Sequence, residues 1–182
     1  MKLNKVMIAT LLALGVSSSA FAADQGHGKV TFTGSIIDAP CSINPESIDQ
    51  TVELGQISNV ALLKGGTSTP RNFTIDLENC TFAANEEGAL QNNKVTVTFT
   101  GMESVAGNGL LGITGTAKGA SVAITDGTGQ VIELGKPTKA HVLQAGNNTL
   151  SYSAYMQGDN TENDVITEGD FQAVADFTLA YN

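Results

Sequence analysis

The end of the chain alternates between apolar and polar side chains with a period of two residues. Because successive side chains of a β-strand point to opposite faces, this run predicts a long strand with one face toward a core. We expect no later segment to pair with its free side, since Asn182 is the last residue. Such a strand either lies at a sheet edge or takes a partner from elsewhere. Its apolar face carries Phe171, Ala173, Ala175, Phe177, Leu179 and Tyr181.

Most other segments also read as short strands with turn residues between them. Alternation predicts strands over residues 29–38, 51–57, 72–77, 94–100, 121–125, 130–134 and 149–157. Residues 126–129 (DGTG) read as a hairpin loop, and residues 59–63 as one helical turn at most. This pattern predicts an all-β fold, a β-sandwich, with a β-barrel as the alternative.

The N-terminus has the order of a secretory signal peptide. Lys2 and Lys5 precede an apolar run over residues 6–16, which ends in serines and the small-residue site Ala20-Phe21-Ala22. We therefore expect residues 1–22 to be removed and the mature chain to begin at Ala23. The alternative is a retained membrane anchor, but the apolar run is short for a bilayer span.

Charge excludes one class of partner. The chain carries a net charge of −9, and removing residues 1–22 takes away two lysines and no acids, which leaves −11. Such a surface repels the phosphates of nucleic acids, so we expect no nucleic-acid partner.

The two cysteines, Cys41 and Cys80, both lie in the mature chain. In an exported protein the default for such a pair is a disulfide. The alternative is a metal pair, which would need ligands that His27 and His141 do not supply at a suitable spacing.

No enzyme motif has the sequence context that its chemistry requires. Residues 107–112 (GNGLLG) match a dinucleotide-binding pattern, but no helix-forming segment follows to hold a pyrophosphate, so we interpret them as a glycine-rich loop. A nucleophilic triad needs a positioned histidine. His27 and His141 both lie in loop-like stretches, where we expect them to be solvated. We expect no enzymatic activity, no cofactor and no metal.

A second alternating stripe follows the signal peptide. Val30, Phe32, Gly34 and Ile36 share one face, with threonines and a serine between them. One interpretation is an ordinary first strand of the domain. The other is a strand that pairs with another molecule, because a glycine within an apolar stripe often marks the close approach of another backbone.

The whole chain resembles a pilin of the chaperone–usher class, of the type 1 and P-pilus kind. The resemblance rests on an ordered set of motifs: the signal peptide, residues 30–36 (VTFTGSI), 38–43 (DAPCSI), 51–56 (TVELGQ) and 73–80 (FTIDLENC), and the closing run over residues 169–181.

The resemblance implies an incomplete immunoglobulin-like β-sandwich that lacks its last strand. It divides the chain into a signal peptide (residues 1–22), an N-terminal donor-strand extension (23–38) and a pilin domain (39–182). It also implies a structural subunit of a surface fimbria that polymerises head-to-tail by donor-strand exchange and supports cell adhesion. The implied partners are other copies of the chain, minor pilins, a periplasmic chaperone and an outer-membrane usher.

In this interpretation the donor stripe is Val30, Phe32, Gly34 and Ile36, and Cys41 and Cys80 form a disulfide. The acceptor wall of the groove is Phe171, Ala173, Ala175, Phe177, Leu179 and Tyr181. The protein would pass through the periplasm to the cell surface. The alternative function is a self-sufficient secreted sandwich that binds glycans, which would need exposed aromatic platforms; the chain has no Trp and three Tyr.

Overall fold

A computed structural model describes residues 26–160 and 165–182. The predicted signal peptide and the first residues after it lie outside the described residues. Those that are described fall into two units, residues 26–36 and residues 37–182. The first unit contains no helix or strand, so the strand predicted over residues 29–38 is not formed.

The described residues of the second unit, 37–160 and 165–182, form ten strands and three short helical segments. The strands are β1 (Ser42–Ile43), β2 (Arg71–Cys80), β3 (Lys94–Gly101), β4 (Thr114–Gly115), β5 (Ala120–Asp126), β6 (Val131–Ile132), β7 (His141–Val142), β8 (Gly146–Gly158), β9 (Phe171–Gln172) and β10 (Ala175–Tyr181). The helices are α1 (Pro45–Ile48), α2 (Asn59–Leu62) and a 3-10 turn (Leu63–Gly65).

The strands form two main sheets with antiparallel ladders. One sheet has the order β1-β2-β8-β5-β6, the second has the order β10-β3-β7, and β4 pairs with β9 in a small third sheet. In the central ladder Phe73 of β2 lies opposite Tyr152 of β8. Because the side-chain period is two, this register places Phe73 and Ile75 of β2 on the same face as Leu150 and Tyr152 of β8.

The core lies between the two main sheets. Phe99 of β3 meets Tyr152 of β8 edge to face, with ring centroids 5.2 Å apart, and contacts Phe73 of β2 at 6.3 Å. Aromatic pairs favour such geometry, which adds about 0.5–1.5 kcal/mol to the effect of burial. The same buried cluster also includes Val95, Val97, Ile75, Leu77 and Leu150. The predicted sandwich is therefore confirmed.

A second strand prediction is also wrong. Residues 51–57 form no hydrogen-bonded ladder, although Val52, Leu54 and Ile57 are half-buried. Gly55 interrupts the segment with φ +77°, a left-handed conformation that breaks an extended strand. The apolar residues Leu54 and Ile57 pack against the second core cluster, so the pattern reflects burial and not strand pairing.

The hairpin loop between β5 and β6 is confirmed. One carboxylate oxygen of Asp126 accepts hydrogen bonds from the backbone N–H groups of Thr128 and Gln130, each at 2.9 Å. The Thr128 hydroxyl donates to the same oxygen at 2.6 Å, and this bond is the main reason that the pKa of Asp126 is lowered. An aspartate that bonds to the backbone of its own turn is a frequent way to fix a tight loop.

Candidate functional site: an open sheet edge and its groove

The three-stranded sheet has an open edge at β10. On one side β10 pairs with β3 along its whole length, from Ala175 opposite Gly101 to Tyr181 opposite Val95. On the other side no strand pairs with it anywhere in residues 26–160 or 165–182. A long edge strand with free N–H and C=O groups is a template for pairing with another chain.

A groove of about 290 Å³ runs along the C-terminal part of this edge. Phe177, Leu179 and Tyr181 of β10 form one wall, and Ile43 of β1 contributes from the other sheet. The rest of the lining is Ile37, Asp38, Ala39 and Thr178. The groove is therefore mainly apolar and bordered by unpaired backbone, which suits an extended peptide with apolar side chains.

Phe177 and Tyr181 show how the wall joins the core. The Phe177 ring lies 6.5 Å from that of Phe99, so the groove opens directly onto the central aromatic cluster. The Tyr181 hydroxyl is buried and has no hydrogen-bond partner among the described residues. Burial also raises the pKa of Tyr181, because the phenolate would lose its hydration. Tyr181 in the groove wall is thus half-buried, and its hydroxyl is shielded from water.

The six residues of the predicted acceptor wall all point inward and are half-buried, while the residues between them are exposed. The single strand expected here is interrupted, however. β9 pairs with β4, β10 pairs with β3, and Ala173 and Val174 lie between them. The segment changes sheets at this point, which is the physical reason for the break. The inward face nevertheless continues, since Phe171, Ala173 and Ala175 pack against a second buried cluster around Leu111 and Met156.

The close approach at this break depends on Gly101. A Cβ at this position would lie 2.7 Å from the carbonyl oxygen of Val174 and 2.5 Å from the Leu111 side chain. Real Cβ atoms do not come so close, so any larger residue would push the start of β10 away from β3.

The predicted donor stripe is fully accessible. Val30, Phe32 and Ile36 expose 75%, 90% and 104% of their surface, and a Cβ at Gly34 would meet no atom within 4 Å. The interpretation of these residues as an ordinary first strand is therefore wrong for this structure. Three large apolar side chains exposed in one segment are unusual unless the segment binds something.

Cys41 and Cys80 form a disulfide, as predicted. The bond joins the residue before β1 to the last residue of β2, and both sulfur-bearing residues are almost completely buried. It holds the two-residue strand β1 in place, where Ile43 lies opposite Leu77. The bond therefore fixes one wall of the groove.

The contribution of Ile37 and Ile43 was not predicted from the sequence. A signal was available, because a Cys41–Cys80 bond places residue 43 beside the strand that ends at Cys80. Alternation alone could not reveal it, since β1 has only two residues.

The other candidate motifs have structural roles. Residues 107–112 form a loop without a helix, as interpreted from the sequence. His141 is not the solvated loop residue that we expected: it lies in β7, half-buried, with its ring 6.5 Å from that of Tyr152. Across the described ranges no group of three or more His, Cys, Asp or Glu side chains could hold a metal ion. No helix within those ranges is long and apolar enough to cross a membrane.

Comparison with known proteins agrees with this geometry. A family model described as "Fimbrial protein" matches residues 30–182. The fimbria A protein of Serratia marcescens is 62% identical over 181 residues, which cover 100% of this chain and 99% of the relative. The major MR/P fimbria protein of Proteus mirabilis is 52% identical and covers 100% of this chain and 99% of its own.

Solved structures agree as well. The P pilus rod subunit PapA is 33% identical with a TM-score of 0.69, over 79% of this chain and 100% of that one. A subunit in the structure of a chaperone–usher pilus is 36% identical with a TM-score of 0.76, over 87% of this chain and 97% of that one. The chain therefore belongs to the fimbrial protein family, as a chaperone–usher pilin that serves as a structural subunit of a surface appendage and not as an enzyme.

Proposed function

We propose that the open edge of β10 receives the N-terminal extension of another copy of the chain, residues 23–38, and that the pilin domain comprises residues 39–182. Val30, Phe32, Gly34 and Ile36 act as the donor stripe. Phe171, Ala173, Ala175, Phe177, Leu179 and Tyr181 act as the acceptor wall. The observation that carries the proposal is the unpaired edge of β10 beside an apolar groove.

The exposed donor side chains and the groove are chemically complementary. Burying Val30, Phe32 and Ile36 would contribute about 1.5–3 kcal/mol each. Each new backbone hydrogen bond along β10 would add roughly 0.5–1.5 kcal/mol net. These terms are large relative to the stability of a domain of this size.

The contact is head-to-tail, because the extension of one copy enters the groove of the next and the two surfaces differ. Such heterologous contacts propagate as filaments unless the rotation happens to close a ring. The relative described as a rod subunit supports a place in the fimbrial shaft.

The same edge explains the assembly partners. A pilin with an open edge is prone to aggregation, so a chaperone strand covers β10 in the periplasm until an outer-membrane usher brings the next copy. Residues 1–22 direct export and are removed first. Minor pilins join the shaft through the same kind of groove.

The test compares two chains. One contains residues 39–182, and the other carries residues 24–37 after Asn182 through a short flexible linker. A short linker suffices, because an antiparallel neighbour of β10 would begin beside the end of the chain. We expect the second chain to melt at least about 10 °C higher, from the burial terms above.

A matched control carries the same appended segment with Phe32→Ser. It should lose a large part of the gain, since the largest donor side chain is gone. Equal melting temperatures for the first two chains would refute the proposal.

A further inference from the structure

The sandwich has two distinct ends, which the strand registers define. At the disulfide end, β2 finishes at Cys80 opposite Gly146, and β10 finishes at Tyr181 opposite Val95. At the far end, β3 finishes at Gly101 opposite Ala175, and β8 finishes at Gly158 opposite Ala120. β10 therefore runs from the far end to the disulfide end.

The direction in which a donor strand pairs with β10 determines at which end of the acceptor the domain of the donating subunit lies. Every strand pair among the described residues of the second unit is antiparallel, and antiparallel pairing is the more stable arrangement. A donor strand antiparallel to β10 places Val30 near the disulfide end of the acceptor and Ile36 at its far end. This step rests on the function proposed above.

Almost no free chain length separates the donor strand, which ends at Ile36, from the domain of its own subunit. The next residue, Ile37, already lines the groove of its own domain with Leu179 and Tyr181, at the disulfide end. Consecutive Cα atoms are about 3.8 Å apart. The disulfide end of the donor's domain must therefore lie directly against the far end of the acceptor.

The far end of the domain exposes apolar side chains. Met102 follows β3, Val174 precedes β10, and Val105 lies at the tip of the loop between β3 and β4. They expose 54%, 63% and 100% of their surface, respectively. We call these three residues the far-end patch.

The loop that presents Val105 is held in a defined shape. The Ser104 carbonyl accepts a hydrogen bond from Gly107 N–H at 3.0 Å, and Ser104 N–H donates to the Leu110 carbonyl at 2.9 Å. The buried hydroxyls of Ser104 and Ser121 lie 2.6 Å apart, and Ser121 also bonds the carboxylate of Asp159. Val105 is fully exposed on a turn that hydrogen bonds hold in place. This combination is more typical of a contact surface than of an irregular loop.

We infer that the far-end patch is a second contact surface between successive subunits, on which the disulfide end of the next copy is seated. The donor strand supplies the connection, and the patch fixes the angle between two neighbouring domains. The patch lies at the start of the same open edge, because Val174 directly precedes β10.

The experiment uses Val105→Asp in the full chain, with Val131→Asp as the matched control. Val131 is also an exposed valine, but it lies on β6, at the edge of the five-stranded sheet farthest from β1. Two quantities are measured: binding of a synthetic peptide of residues 26–37, and the rate of filament growth.

We expect Val105→Asp to leave peptide binding within twofold of wild type and to slow filament growth about tenfold, because a carboxylate would be desolvated at the junction. Val131→Asp should change neither quantity. Met102→Asp should reproduce the Val105→Asp result.

Each other outcome is decisive. If Val105→Asp and Met102→Asp filaments grow like wild type while the peptide binds, the patch is not a contact and the donor-strand proposal stands. If the peptide does not bind even the wild-type chain, the donor-strand proposal itself fails. Equal slowing by Val131→Asp would show a general charge effect and would overturn the inference.

Discussion

Gly34 is the one residue of the donor stripe without a side chain. Its neighbours on the same face, Phe32 and Ile36, are large and exposed. In the proposed complex we expect Gly34 to lie where the groove is too shallow for a side chain. The sequence indicated this position through a break in an apolar stripe, which is a residue-level signal that needs no fold.

We expect Gly34→Arg to stop filament growth almost completely, because a long charged side chain would enter an apolar groove. Filament length by electron microscopy and the yield of heat-resistant polymer are the measurements. The matched control is Ser35→Arg, whose side chain points to the opposite face and should allow growth. Normal growth of Gly34→Arg filaments would mean that Gly34 does not enter the groove.

At the scale of elements, the alternating pattern predicted which side chains point inward better than it predicted which strands pair with each other. The inward face over residues 171–181 is confirmed, but the break between β9 and β10 was not predicted. The period of two continues through Ala173 and Val174, so the pattern contains no sign of it. The break arises because β9 pairs with β4, which is more than 50 residues earlier in the chain.

The element most dependent on a covalent bond is β1. Only two residue pairs join it to β2, and the Cys41–Cys80 disulfide adjoins both strands. We expect replacement of both cysteines by serine to lower the free energy of unfolding by about 4 kcal/mol, from the loop-closure entropy of the unfolded chain.

Urea denaturation of the complemented chain, with residues 24–37 after Asn182, is the measurement. The same chain with intact cysteines is the reference. We also expect the cysteine-free chain to bind the 26–37 peptide more weakly, since Ile43 would no longer be fixed in the groove. A loss of less than about 1 kcal/mol would mean that β1 is held by other contacts.

At the scale of the whole molecule, the net charge of −11 that remains after removal of residues 1–22 opposes the meeting of two copies. Raising the salt concentration from 0.01 M to 0.15 M shortens the screening length from about 30 Å to about 8 Å. We therefore expect filaments to grow several-fold faster at the higher salt concentration. Slower growth would show that attraction between opposite charges at the junction outweighs the net repulsion.

The open edge of β10 also determines how many binding sites remain unpaired in a filament. In the proposed donor-strand assembly each copy brings one groove and one extension, so a filament of any length retains one unused groove at one end and one unused extension at the other. Growth by a single kind of subunit is consequently directional and has no internal stopping point. A finished fibre needs a different molecule at each end, one that offers only a strand and one that offers only a groove.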